Sequence, residues 1–182
     1  MTAIVGLAQN GSVFIGGDSA GVSGTSLSVR ADTKVFRKSG YLFGFTTSYR
    51  MGQLIRYSLE LPPPKGSLES FMATKFVDAL RDCLKVGGWA KTESNREEGG
   101  TFLVGVRGQL FAIYDDYQVG RAADGFAAVG SGDQIALGAL YATANSGVKP
   151  RKRVKVALRA AERFSTDVRG PFVCMSLRRK GA

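Results

Sequence analysis

The sequence predicts an α+β fold of four layers (αββα), in which two antiparallel sheets pack face to face and a helix pair covers the outside of each. Strand-like and helix-like segments alternate in the order strands, helix pair, strands, helix pair and final strand. Strand-like runs at residues 4–7 and 102–104 are apolar at successive positions, which indicates that both sheet faces are covered. A length of 182 residues, 44% of them hydrophobic, suits a single domain over residues 1–182.

Three hairpins are predicted from pairs of strand-like runs separated by a glycine-containing turn. The paired runs are residues 3–8 with 12–17, residues 34–38 with 41–45, and residues 101–107 with 109–115. The turn Asn10-Gly11 is the strongest of the three signals, because asparagine and glycine both accept the positive φ of a two-residue hairpin loop. Ser39-Gly40 and Gly108 mark the other two turns.

Two helix pairs are predicted from apolar residues at helical spacing. The helical segments are residues 51–59, 68–84, 135–144 and 150–164. Pro150 near the first turn of the last segment favours a helix start there. Residues 126–130 and 172–177 are predicted strands, and residues 87–100 form the one polar, loop-like stretch.

The composition excludes several kinds of catalytic site. Because the chain has no histidine, Ser-His-Asp triads, Cys-His pairs and imidazole-based zinc sites are excluded. Cys83 and Cys174 lie in apolar contexts without redox or metal spacing, which is typical of buried free thiols in a reducing compartment. The sequence has no apolar run that could cross a membrane and no signal peptide, so a cytoplasmic location is expected.

The formal net charge of +10 suits a nucleic-acid or acidic-surface partner. However, the lysines and arginines are scattered and are dense only at residues 149–155 and 178–180. No aromatic residues interleave these clusters in a recognisable motif, so a nucleic-acid partner is not expected and solvated surface charge is an equally good explanation.

Thr2 directly follows the initiator methionine and is the main candidate nucleophile. If Met1 is removed, Thr2 carries a hydroxyl nucleophile and a free α-amine on one residue. An ordinary α-amine has a pKa of about 7.7 to 8, so it can accept the hydroxyl proton, through a water, near neutral pH. This unit would allow hydrolysis without histidine.

The turn of the first hairpin determines which residues lie beside Thr2. With a two-residue loop at residues 10–11, counting outward places Asp18 opposite Ala3, one residue from Thr2. The Asp18 carboxylate is therefore expected near Thr2. Because alternate residues point to opposite faces, this counting predicts proximity and not orientation.

The second hairpin brings a cation to the same region. Counting outward from the turn at residues 39–40 pairs Lys34 with Phe45, at the end away from the turn. If the two hairpins lie side by side with their turns at one end, Thr2, Asp18 and Lys34 share the other end. The Lys34 ammonium would then lower the pKa of the Thr2 amine and stabilise an alkoxide, and Asp18 would hold the ammonium in place. Alternatively, Asp18 only ends a strand and Lys34 is a surface residue.

Four segments resemble the proteasome β-subunit family of N-terminal-nucleophile hydrolases, over nearly the whole chain. They are M-T-A-I-V-G at residues 1–6, N-G-S-V-F-I-G-G-D-S at residues 10–19, Lys34, and G-S-G at residues 130–132. The resemblance is greatest to the HslV branch, in which threonine directly follows the initiator methionine. It implies the αββα fold, with Thr2 as nucleophile and Asp18 and Lys34 as its electrostatic support.

The same resemblance implies roles for two residues of the second half of the chain. Ser131, in the G-S-G turn, would place a hydroxyl near the threonine amine, and Asp167 would orient this group. Alternatively, Ser131-Gly132-Asp133 only caps the helix that follows, which is the commoner use of such a turn.

The sequence departs from the family around the expected substrate cleft. Where the family usually has a glycine that supplies an oxyanion-hole N–H, this chain has threonine and serine at residues 46–48. Any residue other than proline still offers an N–H, so Thr47 and Ser48 are candidates for oxyanion and substrate binding. Val22 is a third candidate, because residues 20–22 stand where the family often carries arginine and threonine.

The resemblance implies a self-compartmentalising threonine peptidase that hydrolyses unfolded polypeptides through an acyl ester on Thr2. It also implies homo-oligomeric rings of about six or seven subunits, stacked in pairs. An AAA+ unfoldase would be the only link to ATP, with no metal or cofactor in the chain itself. Two alternatives stay open: a catalytically silent ring-forming relative, which retention of Met1 would favour, and an amidohydrolase for small amides, which acts without an unfoldase.

Overall fold

The computed structural model of the chain describes residues 2–93 and 96–179. Met1, on whose removal a free Thr2 amine depends, lies outside the described residues. In chain order the strands are β1 (Ile4–Gln9), β2 (Ser12–Gly17), β3 (Ala20–Ser23), β4 (Ser26–Val29), β5 (Val35–Lys38), β6 (Tyr41–Phe45), β7 (Lys91–Glu93), β8 (Arg96–Glu98), β9 (Phe102–Val106), β10 (Gln109–Ile113), β11 (Val119–Gly120), β12 (Phe126–Val129) and β13 (Val173–Arg178).

Four helices lie within the described residues. They are α1 (Tyr49–Tyr57), α2 (residues 68–86), α3 (Asp133–Ala142) and α4 (Pro150–Phe164). Helix α2 is α-helical at Leu68–Phe71 and Val77–Val86, with a π-helical segment, Met72–Phe76, between them. Helix α1 begins where the Ser48 side chain accepts a hydrogen bond from the Arg50 N–H, and α4 begins with Pro150 as predicted.

The predicted turns produce the three hairpins. Asn10 and Gly11, at φ of 49° and 69°, join β1 to β2, and Gln9 pairs with Ser12. Both central residues of such a type I′ turn have positive φ, and its twist matches that of the strands it joins. The turns at residues 39–40 and 107–108, which join β5 to β6 and β9 to β10, likewise have positive φ at both positions.

The hairpins assemble into two antiparallel sheets. The first sheet has the strand order β12-β1-β2-β13, and the second has the order β11-β10-β9-β6-β5. Three buried clusters define the packing between four layers. One lies between the sheets, one between the second sheet and helices α1 and α2, and one between the first sheet and helices α3 and α4. The predicted αββα sandwich is confirmed.

Alternation along each strand explains the continuous apolar runs of the sequence. In β1, Ile4 belongs to the cluster between the sheets, whereas Val5 packs in the cluster under α3 and α4. In β6, Leu42 lies between the sheets and Phe43 packs toward α1 and α2. Since successive side chains point to opposite faces and both faces are covered, residues 4–7 of β1 and all five residues of β6 are buried.

Three features differ from the sequence-based expectation. The first two hairpins lie in opposite sheets and not side by side in one sheet, so their ends meet across the sandwich. Residues 87–100 are not all loop, because β7 pairs with β8. The antiparallel ribbon of β3 and β4 was also unpredicted: its β4 residues are exposed, so it lacks the buried apolar alternation that indicates a strand.

Candidate active site at Thr2

The predicted triad converges where the open ends of two hairpins meet. Thr2 precedes β1 and Asp18 follows β2, so both lie at the end of the first hairpin away from its turn. Lys34 precedes β5 in the opposite sheet, and its carbonyl oxygen accepts a hydrogen bond from the Phe45 N–H at 3.1 Å. Thr2, Asp18 and Lys34 are 3%, 1% and 3% exposed, so Lys34 is not a surface residue.

Lys34 connects the other two side chains. Its Nζ donates hydrogen bonds to Asp18 Oδ1 at 2.9 Å and Oδ2 at 3.1 Å, and also to Thr2 Oγ1. An ammonium has three N–H donors, and these three contacts use them all. The geometry therefore fits a charged Lys34 that donates to the Thr2 hydroxyl oxygen. Such a contact stabilises negative charge on that oxygen when its proton leaves.

Asp18 is held by the backbone as well as by Lys34. Its Oδ1 accepts a hydrogen bond from the Ala3 N–H at 3.1 Å, and its Oδ2 accepts one from the Ala20 N–H at 2.9 Å. These bonds orient the buried carboxylate toward Lys34 and away from any role as a base for Thr2. A buried ion pair is favourable only when its remaining hydrogen-bonding capacity is also satisfied, as it is here.

Burial makes the Lys34 ammonium more acidic than an ordinary lysine. Removal from water lowers the pKa of Lys34 from 10.5, and the charge and hydrogen bonds of Asp18 offset part of that effect. The more distant Arg30 guanidinium contributes in the same direction as burial. Lys34 therefore loses its proton at a lower pH than a solvent-exposed lysine.

Ser131 contacts the backbone of Thr2 from the other side. The Thr2 nitrogen donates to Ser131 Oγ at 3.1 Å, and the Gly132 N–H donates to the Thr2 carbonyl oxygen at 3.2 Å. The backbone at residue 130 comes so close to Thr2 that glycine is needed there. Gly130 has a φ of 104°, and an added Cβ would lie 2.3 Å from the Thr2 carbonyl oxygen. The helix-cap alternative for Ser131 is wrong, because α3 is capped by Gly132 without a side-chain hydrogen bond.

Asp167 forms local hydrogen bonds with its neighbours in sequence. Its carboxylate accepts a hydrogen bond from the Thr166 hydroxyl at 3.3 Å, and its backbone N–H donates to Ser165 Oγ at 3.4 Å. Within residues 2–93 and 96–179, no hydrogen bond joins Asp167 to Ser131 or Thr2. The structure thus brings together four of the five predicted catalytic residues, and the orienting role of Asp167 stays a prediction.

The segment after β6 leaves one backbone donor free near Thr2. The Thr46 N–H donates to the Thr101 carbonyl at 3.1 Å, and the Ser48 N–H donates to the Thr46 carbonyl at 2.7 Å, which closes a tight turn around Thr47. Thr47 has a φ of 62°, unusual for a β-branched residue. In the part of the chain that the structure describes, its N–H has no partner. Of the two candidate oxyanion donors, Thr47 therefore has the available N–H, whereas Ser48 caps α1.

A cavity of about 210 Å³ adjoins Thr2. Its lining combines the candidate nucleophile, the three candidate substrate-binding residues and several small or hydroxyl side chains: Thr2, Ala20, Gly21, Val22, Ser23, Ser28, Arg30, Lys34, Phe45, Thr46, Thr47, Ser48 and Tyr49. Sequence reasoning missed Arg30 and Tyr49. Neither belongs to a motif, and only the folded chain brings them to one cavity.

Comparison with known proteins gives a structural match without a sequence match. No protein-family model and no curated protein matches the sequence. Thiobacillus denitrificans BPH in complex with epoxomicin matches with a TM-score of 0.82 at 19% identity, over 98% of this chain and 100% of that chain. Eukaryotic HslV from Trypanosoma brucei matches with a TM-score of 0.71 at 19% identity, over 97% of this chain and 99% of that chain. Anbu, an ancestral β-subunit, from Yersinia bercovieri matches with a TM-score of 0.65 at 15% identity, over 97% of this chain and 81% of that chain.

At such identities these matches bear on the fold and not on the roles of individual residues. The match covers all four layers, since nearly the whole of each chain is included. The resemblance predicted from the Thr2, Asp18, Lys34 and G-S-G segments is thereby confirmed at the level of architecture. The chain has the fold of the HslV-like proteasome β-subunit family of N-terminal-nucleophile hydrolases.

Proposed function

We propose that the protein is a threonine-type peptidase that hydrolyses unfolded polypeptides through Thr2 after removal of Met1. The observation that carries the proposal is the buried contact between Lys34 Nζ and Thr2 Oγ1, with Asp18 paired to the same ammonium. A buried ion pair aimed at a hydroxyl is costly to build and contributes little to stability, so it favours a catalytic role. The HslV-like fold supports a peptidase-type hydrolase.

The geometry suits acyl transfer in two steps. In the first step, the Thr2 α-amine accepts the hydroxyl proton through a water, and Thr2 Oγ1 attacks the peptide carbonyl carbon. The Thr47 N–H stabilises the oxyanion that develops, and Lys34 stabilises the attacking oxygen. The intermediate collapses to an ester on Thr2 and releases the amine half of the substrate, which takes up the proton. In the second step, water attacks the carbonyl carbon of the ester and the acid half of the substrate leaves. Thr2 Oγ1 takes up a proton from that water, which restores the hydroxyl.

Intact-mass measurement tests the condition on which this mechanism depends. We expect the purified chain to lack the mass of one methionine, because only then is the Thr2 amine free to accept a proton. The same sample is expected to hydrolyse an unfolded protein, and epoxomicin, the ligand of the BPH structure, is expected to inhibit it. A chain that keeps Met1 and hydrolyses peptides at the full rate would contradict the mechanism.

We also propose that the protein assembles into rings, stacked in pairs, and receives substrate from an AAA+ unfoldase in the cytoplasm. The HslV and Anbu matches support a ring-forming subunit. No helix in the described ranges is long and apolar enough to span a bilayer. Large apolar side chains such as Tyr57, Tyr141 and Phe164 are about three-quarters exposed, at 74%, 74% and 75%, as expected of surfaces that other subunits cover.

Light scattering in solution tests the assembly. We expect a homo-oligomer of about six or more subunits, because the HslV-like fold supports a ring-forming subunit, and a repeated head-to-tail contact gives a ring when its rotation closes. A stable monomer or dimer with full peptidase activity would contradict the chambered peptidase and favour the amidohydrolase for small amides.

A further inference from the structure

We propose that the cavity beside Thr2 selects substrates by charge, with Arg30 as the specificity-determining residue. The cavity would accept an acidic or neutral side chain next to the scissile bond and exclude lysine and arginine. This inference rests on the proposed function and adds the class of peptide that the site prefers.

The charged residues of the cavity are all cations. In the described part of the chain, Arg30 and Lys34 line it, and no aspartate or glutamate does. The remaining lining side chains are small, aromatic or hydroxyl-bearing. Among the hydroxyls, Ser48 Oγ accepts a hydrogen bond from the Arg50 N–H, so its own O–H can donate to a ligand. A carboxylate in the cavity therefore meets hydrogen-bond donors, whereas an ammonium meets like charge.

The counterions of both cations lie outside the cavity lining. Asp32 accepts hydrogen bonds from Arg30 Nε at 2.8 Å and from Nη2 at 2.7 Å, and Asp18 pairs with Lys34. Each ion pair is thus a dipole whose cation borders the cavity and whose carboxylate does not. Arg30 Nη1 has no hydrogen-bond partner within the described residues, so this edge of the guanidinium stays available to a substrate carboxylate.

Arg30 is held in place by contacts on three further sides. Its guanidinium stacks on the Tyr49 ring at 3.9 Å, and its backbone N–H donates to the Ser19 carbonyl at 2.9 Å. Its aliphatic stem crosses Gly21, where an added Cβ would lie 2.8 Å from Arg30 Cδ. Because the side chain is fixed before substrate binds, little entropy is lost when it receives a carboxylate.

Tyr49 forms a neutral wall between the two cations. Its ring lies 5.7 Å from Lys34 Nζ and packs edge-on against Phe45 at 5.6 Å. Its hydroxyl donates to the Ala20 carbonyl at 3.4 Å. Burial raises the pKa of Tyr49 to about 12, so the phenol stays uncharged and does not attract a cationic side chain at neutral pH.

Two pairs of peptides of matched size isolate the effect of charge. The fluorogenic peptides differ only in the residue before the scissile bond, which is Glu or Gln in one pair and Lys or Met in the other. We expect kcat/KM for the Lys peptide to be about tenfold below that for the Met peptide, because like charges repel across a partly exposed cavity. The Glu peptide is expected to equal or exceed the Gln peptide.

Variants at Arg30 assign the selection to that residue. In Arg30→Gln, kcat/KM for the Lys peptide is expected to equal that for the Met peptide. The Glu peptide is expected to be hydrolysed less efficiently than the Gln peptide, because the Asp32 carboxylate then lacks its counterion. Arg30→Lys keeps the charge and should keep the wild-type order, which also covers the case in which Arg30→Gln folds poorly. Arg159→Gln removes an exposed arginine of α4 that does not line the cavity, and it should match wild type. If the ratio of kcat/KM for the Lys peptide to kcat/KM for the Met peptide is the same in wild type and in Arg30→Gln, the proposal is overturned.

Peptide binding to the Thr2→Ala variant separates this proposal from the proposed function. Fluorescence anisotropy with the same peptides requires no turnover, and the order Glu, Gln, Lys is expected from tightest to weakest. If wild type hydrolyses none of the four peptides but this order holds, the peptidase function fails and the charge selection stands. If hydrolysis proceeds without preference and binding shows none, the charge selection fails and the peptidase function stands.

Discussion

Thr2→Ala is expected to abolish peptide hydrolysis and to leave assembly unchanged. The substitution removes the hydroxyl that accepts a hydrogen bond from Lys34, while Asp18 still pairs with the ammonium. Loss of a nucleophile typically lowers kcat by several orders of magnitude. Initial rates with a fluorogenic peptide, measured beside light scattering, test both parts of this prediction.

Two matched variants control the Thr2 experiment. Thr2→Ser keeps a hydroxyl and an amine on one residue, so partial activity is expected. Thr74→Ala removes an exposed threonine of α2 whose hydroxyl donates a hydrogen bond to the Ser70 carbonyl, and activity should not change. Hydrolysis by pure Thr2→Ala within about tenfold of wild type would exclude Thr2 as the nucleophile.

Lys34→Ala is expected to cost nearly as much activity as Thr2→Ala and to destabilise the protein as well. It leaves the Asp18 carboxylate, whose side chain is 0% exposed, without its cation. Uncompensated burial of one member of an ion pair typically costs about 3 to 5 kcal/mol of folding free energy. The lost stabilisation of the Thr2 oxygen is worth about 3 to 4 kcal/mol in activation free energy, by analogy with oxyanion donors. Chemical unfolding and initial rates measure the two effects separately.

The pH profile distinguishes the charged form of Lys34 from the neutral form as the active species. Burial lowers the pKa of Lys34 below 10.5, so the ammonium is lost as pH rises through that lowered value. If the ammonium is required, kcat falls on this alkaline limb, and in Lys34→Arg any remaining activity lacks the limb, because arginine stays charged. A rise in kcat over the same range would mean that neutral Lys34 acts as the base. Lys75→Ala, at an exposed position of α2, controls for loss of a surface charge.

Much of the fold follows from local signals in the sequence. The glycine-containing turns at residues 10–11, 39–40 and 107–108 adopt the positive φ that two-residue hairpins require. In a hairpin the turn sets the register, and for this reason the pairing of β1 with β2 and the proximity of Asp18 to Thr2 could be predicted. Continuous apolar runs indicated sheets covered on both faces. Thr2 was a candidate because its position after Met1 and the absence of histidine are both properties of the chain itself.

The relation between hairpins was decided by tertiary packing. Lys34 reaches Thr2 across the sandwich from the opposite sheet, and nothing in the spacing of residues 2–34 distinguishes that arrangement from two hairpins side by side. The packing of one sheet on another depends on the apolar faces of both, and no single segment carries that information. Asp167, assigned by resemblance alone, has no hydrogen bond to Ser131 or Thr2 within the described residues.

The chain itself therefore indicated Thr2 as the candidate nucleophile, Asp18 as its neighbour and sheets covered on both faces, because these follow from residue type, turn chemistry and alternation. Only the tertiary structure decided which backbone N–H stays free near Thr2 and which side chains form the cavity wall. Thr47 becomes the available donor because the Thr46 and Ser48 N–H groups are bonded elsewhere. Arg30 and Tyr49 stack at 3.9 Å although 18 intervening residues separate them, since the β3–β4 ribbon and α1 meet beside Thr2. Such long-range contacts depend on the whole packed core and leave no local pattern in the sequence.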